Sequence, residues 1–257
     1  MDDSQLAIPM APAPVVTVAP GPATLPRWFA ALQVVLVCGI PTQLVAAAFL
    51  ALGAHIPLVD DHGITFEFIA MVSLIDTALV ALLIRVFLSL SGETSARVFV
   101  GPRPVLGEVL RGLAWLPVVF LVVTGVVLGV RALLPWMHNV KESPFDHYLG
   151  TPLEAGIFLV VVVLAGGVRE ELQRAFILHR FEQRLGGVKI GLALFTLAFG
   201  AFHVDQGFDV AAAITLLGLF WGVQYIRRRS AILPMVNHAS FNAAQVVQAV
   251  VAKSLGA

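Results

Sequence analysis

Apolar residues are grouped along this chain in blocks that approach the length of a membrane-spanning helix, about 20 residues. This pattern predicts an all-α fold, a polytopic membrane helical bundle of about seven transmembrane helices, with eight possible if one piece is re-entrant. The predicted helical blocks cover residues 29–52, 67–90, 112–134, 153–179, 188–203, 209–226 and 231–252.

The first 26 residues differ from the rest of the chain, because they contain six prolines among Ala, Val and Thr. Proline has no N–H to donate within a helix, so residues 1–26 are predicted to be a disordered, Pro/Ala-rich cytoplasmic tail. The tail has no Lys or Arg before Arg27 and therefore lacks the basic region that begins a signal peptide. Residues 27–257 are predicted to form one transmembrane helical domain.

Basic residues fall at alternate connections between the blocks, and the positive-inside rule turns this alternation into an orientation. It predicts a cytoplasmic N-terminus and an outside C-terminus. An excess of Arg over Lys, with much Ala, Val, Leu and Gly, would suit a GC-rich bacterial genome, so the predicted location is the bacterial cytoplasmic membrane. The residues on the predicted cytoplasmic side are Arg27, Arg97, Arg103, Arg111, Arg180, Arg184, Lys189, Arg227, Arg228 and Arg229, and those at the other ends are Arg131, Lys141 and Lys253.

Composition supports a membrane protein and excludes other classes. The chain is 58% hydrophobic and 12% charged, whereas soluble domains carry about 25% charged residues. Its net charge is zero and it has no one-sided basic face, so we expect no nucleic-acid partner. Cys38 is the single cysteine, which rules out an intrachain disulfide. The expected partners are the lipid bilayer and a membrane-associated protein or peptide.

The fourth block places ionisable residues inside an apolar helix. A charged side chain at the bilayer centre costs about 2.5 to 3.5 kcal/mol on insertion scales, so such residues usually face the protein interior and serve a function. Arg174 follows Glu170 by four positions and Glu171 by three, so its guanidinium can pair with either carboxylate. The carboxylate that remains is a candidate general base. Arg169, directly before the pair, is more readily explained as a structural partner.

Two later blocks contain intramembrane imidazoles. His203 ends the fifth block, and His238 lies in the seventh, one helical turn before Asn242. Grouped around one cavity with a carboxylate, these side chains could hold a water molecule and stabilise an oxyanion. Alternatively, His203, His238 and Glu170 could bind a divalent metal such as zinc. The sequence does not distinguish a metal-free glutamate mechanism from a metal-assisted one.

These residues resemble the motifs of the CAAX protease and bacteriocin-processing enzyme family, which includes type II CAAX prenyl endopeptidases. The family pattern is EExxxR, then FxxxH, then HxxxN, and the resemblance covers about residues 150–250. Phe199 with His203 fits the second motif, and His238 with Asn242 fits the third. The first motif departs in either register, because Arg174 comes one residue early for the Glu170 pair, while the strict spacing puts Arg169 at the first glutamate.

The resemblance implies an intramembrane endopeptidase that cleaves a membrane-associated protein or peptide with glutamate-activated water. Two alternatives stay open. The broken first motif would suit a non-catalytic family member that acts as a membrane scaffold or immunity protein. Ionisable residues within a bundle would also suit a proton-coupled transporter. The catalytic residues that the resemblance implies are Glu170, Glu171, Arg174, His203, His238 and Asn242.

Overall fold

The computed structural model describes residues 25–61, 63–141 and 143–256, so most of the predicted N-terminal tail lies outside the described residues. The protein is 80% helical, as predicted. One pair of two-residue strands, β1 (Val59–Asp60) and β2 (Gly63–Ile64), is antiparallel. The helices are α1 (Arg27–Val37), α2 (Ile40–Ala48), α3 (Phe66–Leu90), α4 (Val105–Ala114), α5 (Leu116–Leu133), α6 (Pro152–Val161), α7 (Glu170–Arg184), α8 (Val188–Ala201), α9 (Phe208–Arg228) and α10 (Ile232–Ser254).

Every predicted apolar block coincides with helical structure, but the number of spans does not reach the prediction. Among the described residues, four helical stretches are long and apolar enough to cross a membrane, and α1 with α2 adds a fifth if this pair, bent by 48°, is one span. The protein is thus an all-helical integral membrane protein, and the count of about seven is not confirmed. The four stretches are Phe66–Leu90, Val105–Leu133, Pro152–Arg184 and Phe208–Arg228.

The bend between α1 and α2 occurs at Gly39, whose φ of 96° favours glycine. A Cβ at Gly39 would lie 2.5 Å from Nη2 of Arg169, so a larger residue would also require the Arg169 side chain to shift. The break frees the carbonyl of Val37, and Gln173 satisfies it by donating from Nε2 over 2.6 Å. The bend therefore brings polar groups of α1 and α7 together.

The longest helical stretch begins at a capping box, in which Thr151 and Glu154 bond to each other's backbone N–H. Between α6 and α7 the helix widens into a π-helical segment, Val162–Arg169. Gly167 in this segment packs so closely on α10 that a Cβ would lie 2.4 Å from Cα of Ala239. Small residues thus let α10 approach the carboxylates that begin α7.

The core is centred on α7, where Phe176 and Leu178 are fully buried. By contrast, apolar side chains on the outside of the bundle are exposed, for example Leu121 at 74% and Leu133 at 82%. In a membrane protein this outward apolar surface faces lipid.

Contacts between the connections define two ends of the bundle. We call the end that contains Arg27 and Arg184 the basic end; there, Arg27 donates from Nε to the carbonyl of Arg184 over 3.1 Å. The connections between α3 and α4, α7 and α8, and α9 and α10 meet at this end. At the opposite end, Arg131 pairs with Asp209 over 2.7 Å, and Lys253 donates to the carbonyl of Leu149 over 3.1 Å. The connections between α5 and α6 and between α8 and α9 lie there.

Candidate active site

A buried polar triad joins α7 to α10. Glu171 and Arg174 form an ion pair across one helical turn, and their side chains are 1% and 0% exposed. His238 contributes the third member, with Nδ1 at 2.9 Å from Oε1 of Glu171. An ionised carboxylate can only accept hydrogen bonds, so Nδ1 of His238 carries the proton and donates it. In a neutral imidazole, Nε2 then remains an acceptor.

The indole ring of Trp221 fixes the plane of the His238 ring. The two rings are stacked, with centroids 3.8 Å apart and planes inclined by 15°. Trp221 is held in turn by Asn237, which accepts from the indole Nε1 over 2.8 Å and donates from Nδ2 to the carbonyl of Gly112 over 2.9 Å. The imidazole therefore has a defined orientation, set by Glu171 at one edge and by Trp221 on one face.

Aromatic rings surround the guanidinium of Arg174. Its Cζ lies 5.0 Å from the ring centroid of Phe195, 4.8 Å from that of Phe199 and 5.6 Å from that of Trp221. The negative faces of aromatic rings attract a cation, most strongly where water is excluded. This arrangement and Glu171 balance the buried charge, while Nε and Nη2 of Arg174 have no hydrogen-bond partner among the described residues.

Glu170 differs from Glu171 in its surroundings. Its carboxylate is 19% exposed and lies 3.9 Å from Nε2 of His238, a separation too long for a direct hydrogen bond. Glu170 and His238 both line a cavity of about 500 Å³. A water molecule can bridge two polar groups on a cavity wall that are too far apart for a direct hydrogen bond.

His203 and Asn242 line the same cavity. The Nδ1 of His203 lies 2.7 Å from the carbonyl of Phe199 and must donate to it, which leaves Nε2 as the acceptor. Asn242 donates from Nδ2 to the carbonyl of Val162 over 3.3 Å. Asn242 thus supports the π-helical segment, and one further N–H of its amide is available for another acceptor.

The possible metal ligands do not converge. Among the described residues, no group of three or more His, Cys, Asp and Glu side chains is arranged to hold a metal ion. The ring of Phe199 lies against both imidazoles, with its centroid 4.8 Å from that of His203 and 6.2 Å from that of His238. The donors present do not fit a metal centre formed by His203, His238 and Glu170.

Arg169 points away from this group. It forms an ion pair with Asp76 of α3, and both side chains are buried, at 10% and 2% exposure. The charge of Arg169 is balanced by Asp76 on α3. Arg169 therefore does not stand on the cavity wall in the place of the family's first glutamate. The carboxylates near His238 are therefore Glu170 and Glu171, and Arg174, three positions after Glu171, pairs with Glu171.

A family model matches this part of the chain. The model is Rce1-like, described as type II CAAX prenyl endopeptidase Rce1-like, and it covers residues 152–244. The match confirms the resemblance, and residues 152–244 form an Rce1-like segment. No curated protein and no solved structure matches the chain significantly.

The Rce1-like segment contains the polar side chains that form the candidate site on α7 to α10, from Glu170 to Asn242. Because the family is a protease family, the match supports a hydrolase. Asp76 lies outside the segment, on α3, and sequence reasoning missed it although an ionisable residue in an apolar block is a usable signal. Trp221 and Asn237 were also missed. An aromatic residue in an apolar helix gives no signal of a catalytic neighbour, and Asn237 was passed over beside His238.

Proposed function

We propose that this protein is an intramembrane endopeptidase that hydrolyses a peptide bond of a membrane-associated protein or peptide with glutamate-activated water. The observation that carries the proposal is the different placement of two adjacent carboxylates. Glu171 is bound by Arg174 and His238 and is removed from solvent. Glu170 lines the cavity at 3.9 Å from the acceptor nitrogen of His238.

In this mechanism Glu170 is the general base. A water molecule between Glu170 and Nε2 of His238 gives one proton to Glu170, and its oxygen attacks the carbonyl carbon of the substrate. The C–N bond then breaks, and the proton passes from Glu170 to the leaving amine. Glu171 and Arg174 act through His238, whose orientation and proton position they determine. They are positioning residues.

The remaining polar residues of the cavity have supporting roles. The second N–H of Asn242 is a suitable donor for the oxyanion that forms during attack, because preorganised donors stabilise such charge in sites that exclude water. His203, with its acceptor nitrogen available, helps to hold the water or the leaving amine. No step depends on a metal, since the donors do not converge into a ligand set.

Cleavage of membrane-anchored reporter peptides by the purified protein in liposomes tests the proposal. We expect Glu170→Gln and His203→Ala to abolish cleavage while the protein stays folded. The matched control is Glu67→Gln, because Glu67 is an exposed carboxylate at the start of α3. The reporters include prenylated and unprenylated peptides, and each variant is assayed with and without a chelator.

A folded wild-type protein that cleaves none of a broad set of reporters would contradict the proposal and favour a non-catalytic scaffold or immunity role. Activity that survives Glu170→Gln but not Glu171→Gln would reverse the roles of the two carboxylates. Loss of wild-type activity on chelation, with recovery on adding zinc, would require a metal-assisted mechanism.

A further inference from the structure

One face of α10 carries polar side chains along the cavity wall. Successive positions on this face are His238, Asn242 and Gln245, separated by four and three residues. Residues at such intervals lie on the same side of an α-helix. His238 and Asn242 have hydrogen-bond partners in the protein. The amide of Gln245 forms no hydrogen bond within the part of the chain that the structure describes.

The side chain of Gln245 is therefore an unused polar group on a membrane helix. The residue is exposed, and it lines the cavity. Its amide offers one acceptor oxygen and two donor N–H groups. Such a group costs free energy in an apolar environment unless it is hydrogen-bonded. The amide of Gln245 thus needs water or a bound ligand as its partner.

A second unused polar group lies on α3. Ser73 lines the same cavity. Hydroxyls within a helix often donate to the carbonyl four residues earlier, and Thr77 and Thr215 both do so over 2.7 Å. The hydroxyl of Ser73 makes no hydrogen bond to any residue in the described ranges 25–61, 63–141 and 143–256. It is therefore available to a molecule in the cavity.

The π-helical segment connects the two walls that carry these groups, because both α3 and α10 pack against it. Arg169 pairs with α3, and Gly167 packs on α10. The positions of this segment that line the cavity include Ala165 and Gly166, which are small. Small residues let the main chain of a ligand come close. The wall thus has a low floor, with a free hydroxyl on α3 and a free amide on α10.

A peptide main chain has the chemistry that these groups can bind. A substrate segment that is unwound for cleavage loses its internal hydrogen bonds, and each unpaired N–H or C=O is costly where water is excluded. A glutamine amide can accept from the N–H and donate to the C=O of an extended chain, and a serine hydroxyl can donate to a further C=O. Neither side chain is charged, so this pairing requires no charge on the substrate.

We propose that Gln245 and Ser73 bind the main chain of the substrate and hold it extended across Ala165 and Gly166. The inference rests on the proposed function and names the form in which the substrate is bound. Gln245 lies about 10 Å from His238 along α10, which is the length of about three extended residues. Ser73 and Gln245 both lie outside the Rce1-like segment, residues 152–244.

Substitution of an ester for a peptide bond in the reporter tests the contact with Gln245. The ester removes one N–H, and a set of reporters places it in turn at each peptide unit within about four residues of the cleaved bond. At one position we expect the ester to lower kcat/KM of the wild type about tenfold, because it leaves a buried acceptor unpaired. Gln245→Leu should cleave the all-amide reporter about tenfold less well, and the same ester should then cause no further loss.

The losses in Gln245→Leu and Ser73→Ala should appear in KM, with kcat near the wild-type value, because main-chain contacts away from the reacting atoms are made equally before and during the reaction. The matched controls are Gln248→Leu and Ser89→Ala. They change the same residue types on the same helices, at exposed positions away from the cavity wall, and should keep wild-type kinetics.

Three kinetic results would overturn the inference. One is wild-type kcat/KM in Gln245→Leu. Another is an ester effect that is equally large in the wild type and in Gln245→Leu at every position. The third is an equal loss in the test variants and in their controls, which would assign the effect to the polarity of the helices and not to the cavity.

Binding of a fluorescent reporter to Glu170→Gln in lipid nanodiscs separates the inference from the proposed hydrolysis. We expect the Kd to rise about tenfold when Gln245→Leu is added to this variant. Equal Kd values, or no binding of any reporter, would overturn the inference. Binding that depends on Gln245, with no cleavage by the wild type, would contradict the proposed hydrolysis and leave the main-chain site standing.

Discussion

His238 donates its Nδ1 proton to Glu171 over 2.9 Å, and this hydrogen bond joins α10 to α7 inside the bundle. Because Glu171 also accepts from Arg174, one carboxylate balances a buried cation and orients an imidazole. The first glutamate of the pair, Glu170, is then left to face the cavity. The two neighbouring glutamates therefore differ in their surroundings: Glu171 is paired inside the bundle, and Glu170 faces the cavity.

Removing Glu171 should destabilise the protein more than removing Glu170. Glu171→Ala leaves Arg174 without its carboxylate in a site that has 0% exposure, and breaking a buried ion pair costs about 3 to 5 kcal/mol. Thermal unfolding in detergent measures the loss. Glu170→Ala, whose carboxylate is partly exposed, should keep a midpoint near that of the wild type. The double variant Glu171→Leu, Arg174→Met should recover part of the stability, and no recovery would argue against a charge effect.

The ion pair of Asp76 and Arg169 should matter for stability without mattering for chemistry. Asp76→Ala leaves Arg169 buried and unpaired, so we expect a loss of about 3 to 5 kcal/mol in the free energy of unfolding. Cleavage per folded molecule should stay near the wild-type value, because the pair lies apart from the cavity wall. Replacing both residues by leucine is the control for charge. A folded Asp76→Ala protein without activity would give this pair a catalytic role.

The close approach of the π-helical segment to α10 predicts a difference between two glycines. In Gly167→Ala the added methyl would lie 2.4 Å from Cα of Ala239, a backbone atom that cannot move independently. We expect lower stability and lower activity, because α10 carries His238. Gly156→Ala is the matched control, since nothing lies within 4 Å of its added Cβ. Alanine should stabilise that exposed helical position by about 0.5 to 1 kcal/mol.

Glu93, in the connection after α3, should make stability depend on pH on the acid side. Burial raises its pKa, but hydrogen bonds from His179 and Arg180 outweigh that effect and lower the pKa from 4.5 to about 2. A carboxyl whose pKa is lower in the folded state stabilises the protein above its unfolded value. The contribution is present above pH 4.5 and is lost as the pH falls towards about 2.

Glu93→Gln should therefore reduce the fall of the unfolding midpoint in this acid range, compared with the wild type. The exposed Glu67→Gln serves as the control and should leave the pH profile unchanged. Equal slopes for the wild type and Glu93→Gln would show that other carboxylates cause the acid sensitivity.

Much of the helical architecture could be predicted, because a bilayer requires backbone hydrogen bonds to be satisfied within each apolar segment. The number of membrane spans was harder to predict from the sequence. A count of apolar blocks does not reveal that α1 and α2 are bent at Gly39, and it includes the short fifth block, where α8 has 14 residues. The π-helical segment Val162–Arg169 was not predicted either, because the apolar pattern of the fourth block does not distinguish it from an α-helix.

For the candidate site, spacing identified the residues but not their partners. Arg174 was within reach of either carboxylate along the helix, and only the position of His238 on α10 distinguishes Glu171 from Glu170. The stacking of Trp221 on His238 depends on the packing of α9 against α10, which no local pattern encodes. Asp76, an ionisable residue within an apolar block, is a signal that the sequence does carry.

The buried pair of Glu171 and Arg174 also bears on how a site within a membrane can use water. Hydrolysis needs water near the middle of the bilayer, yet a continuous file of water would let ions and protons leak across. Arg174 and Glu171 are enclosed and balance each other's charge, so the pair presents no net charge that would draw ions through the bundle. By its burial, the same pair would keep the membrane sealed while the site is wet.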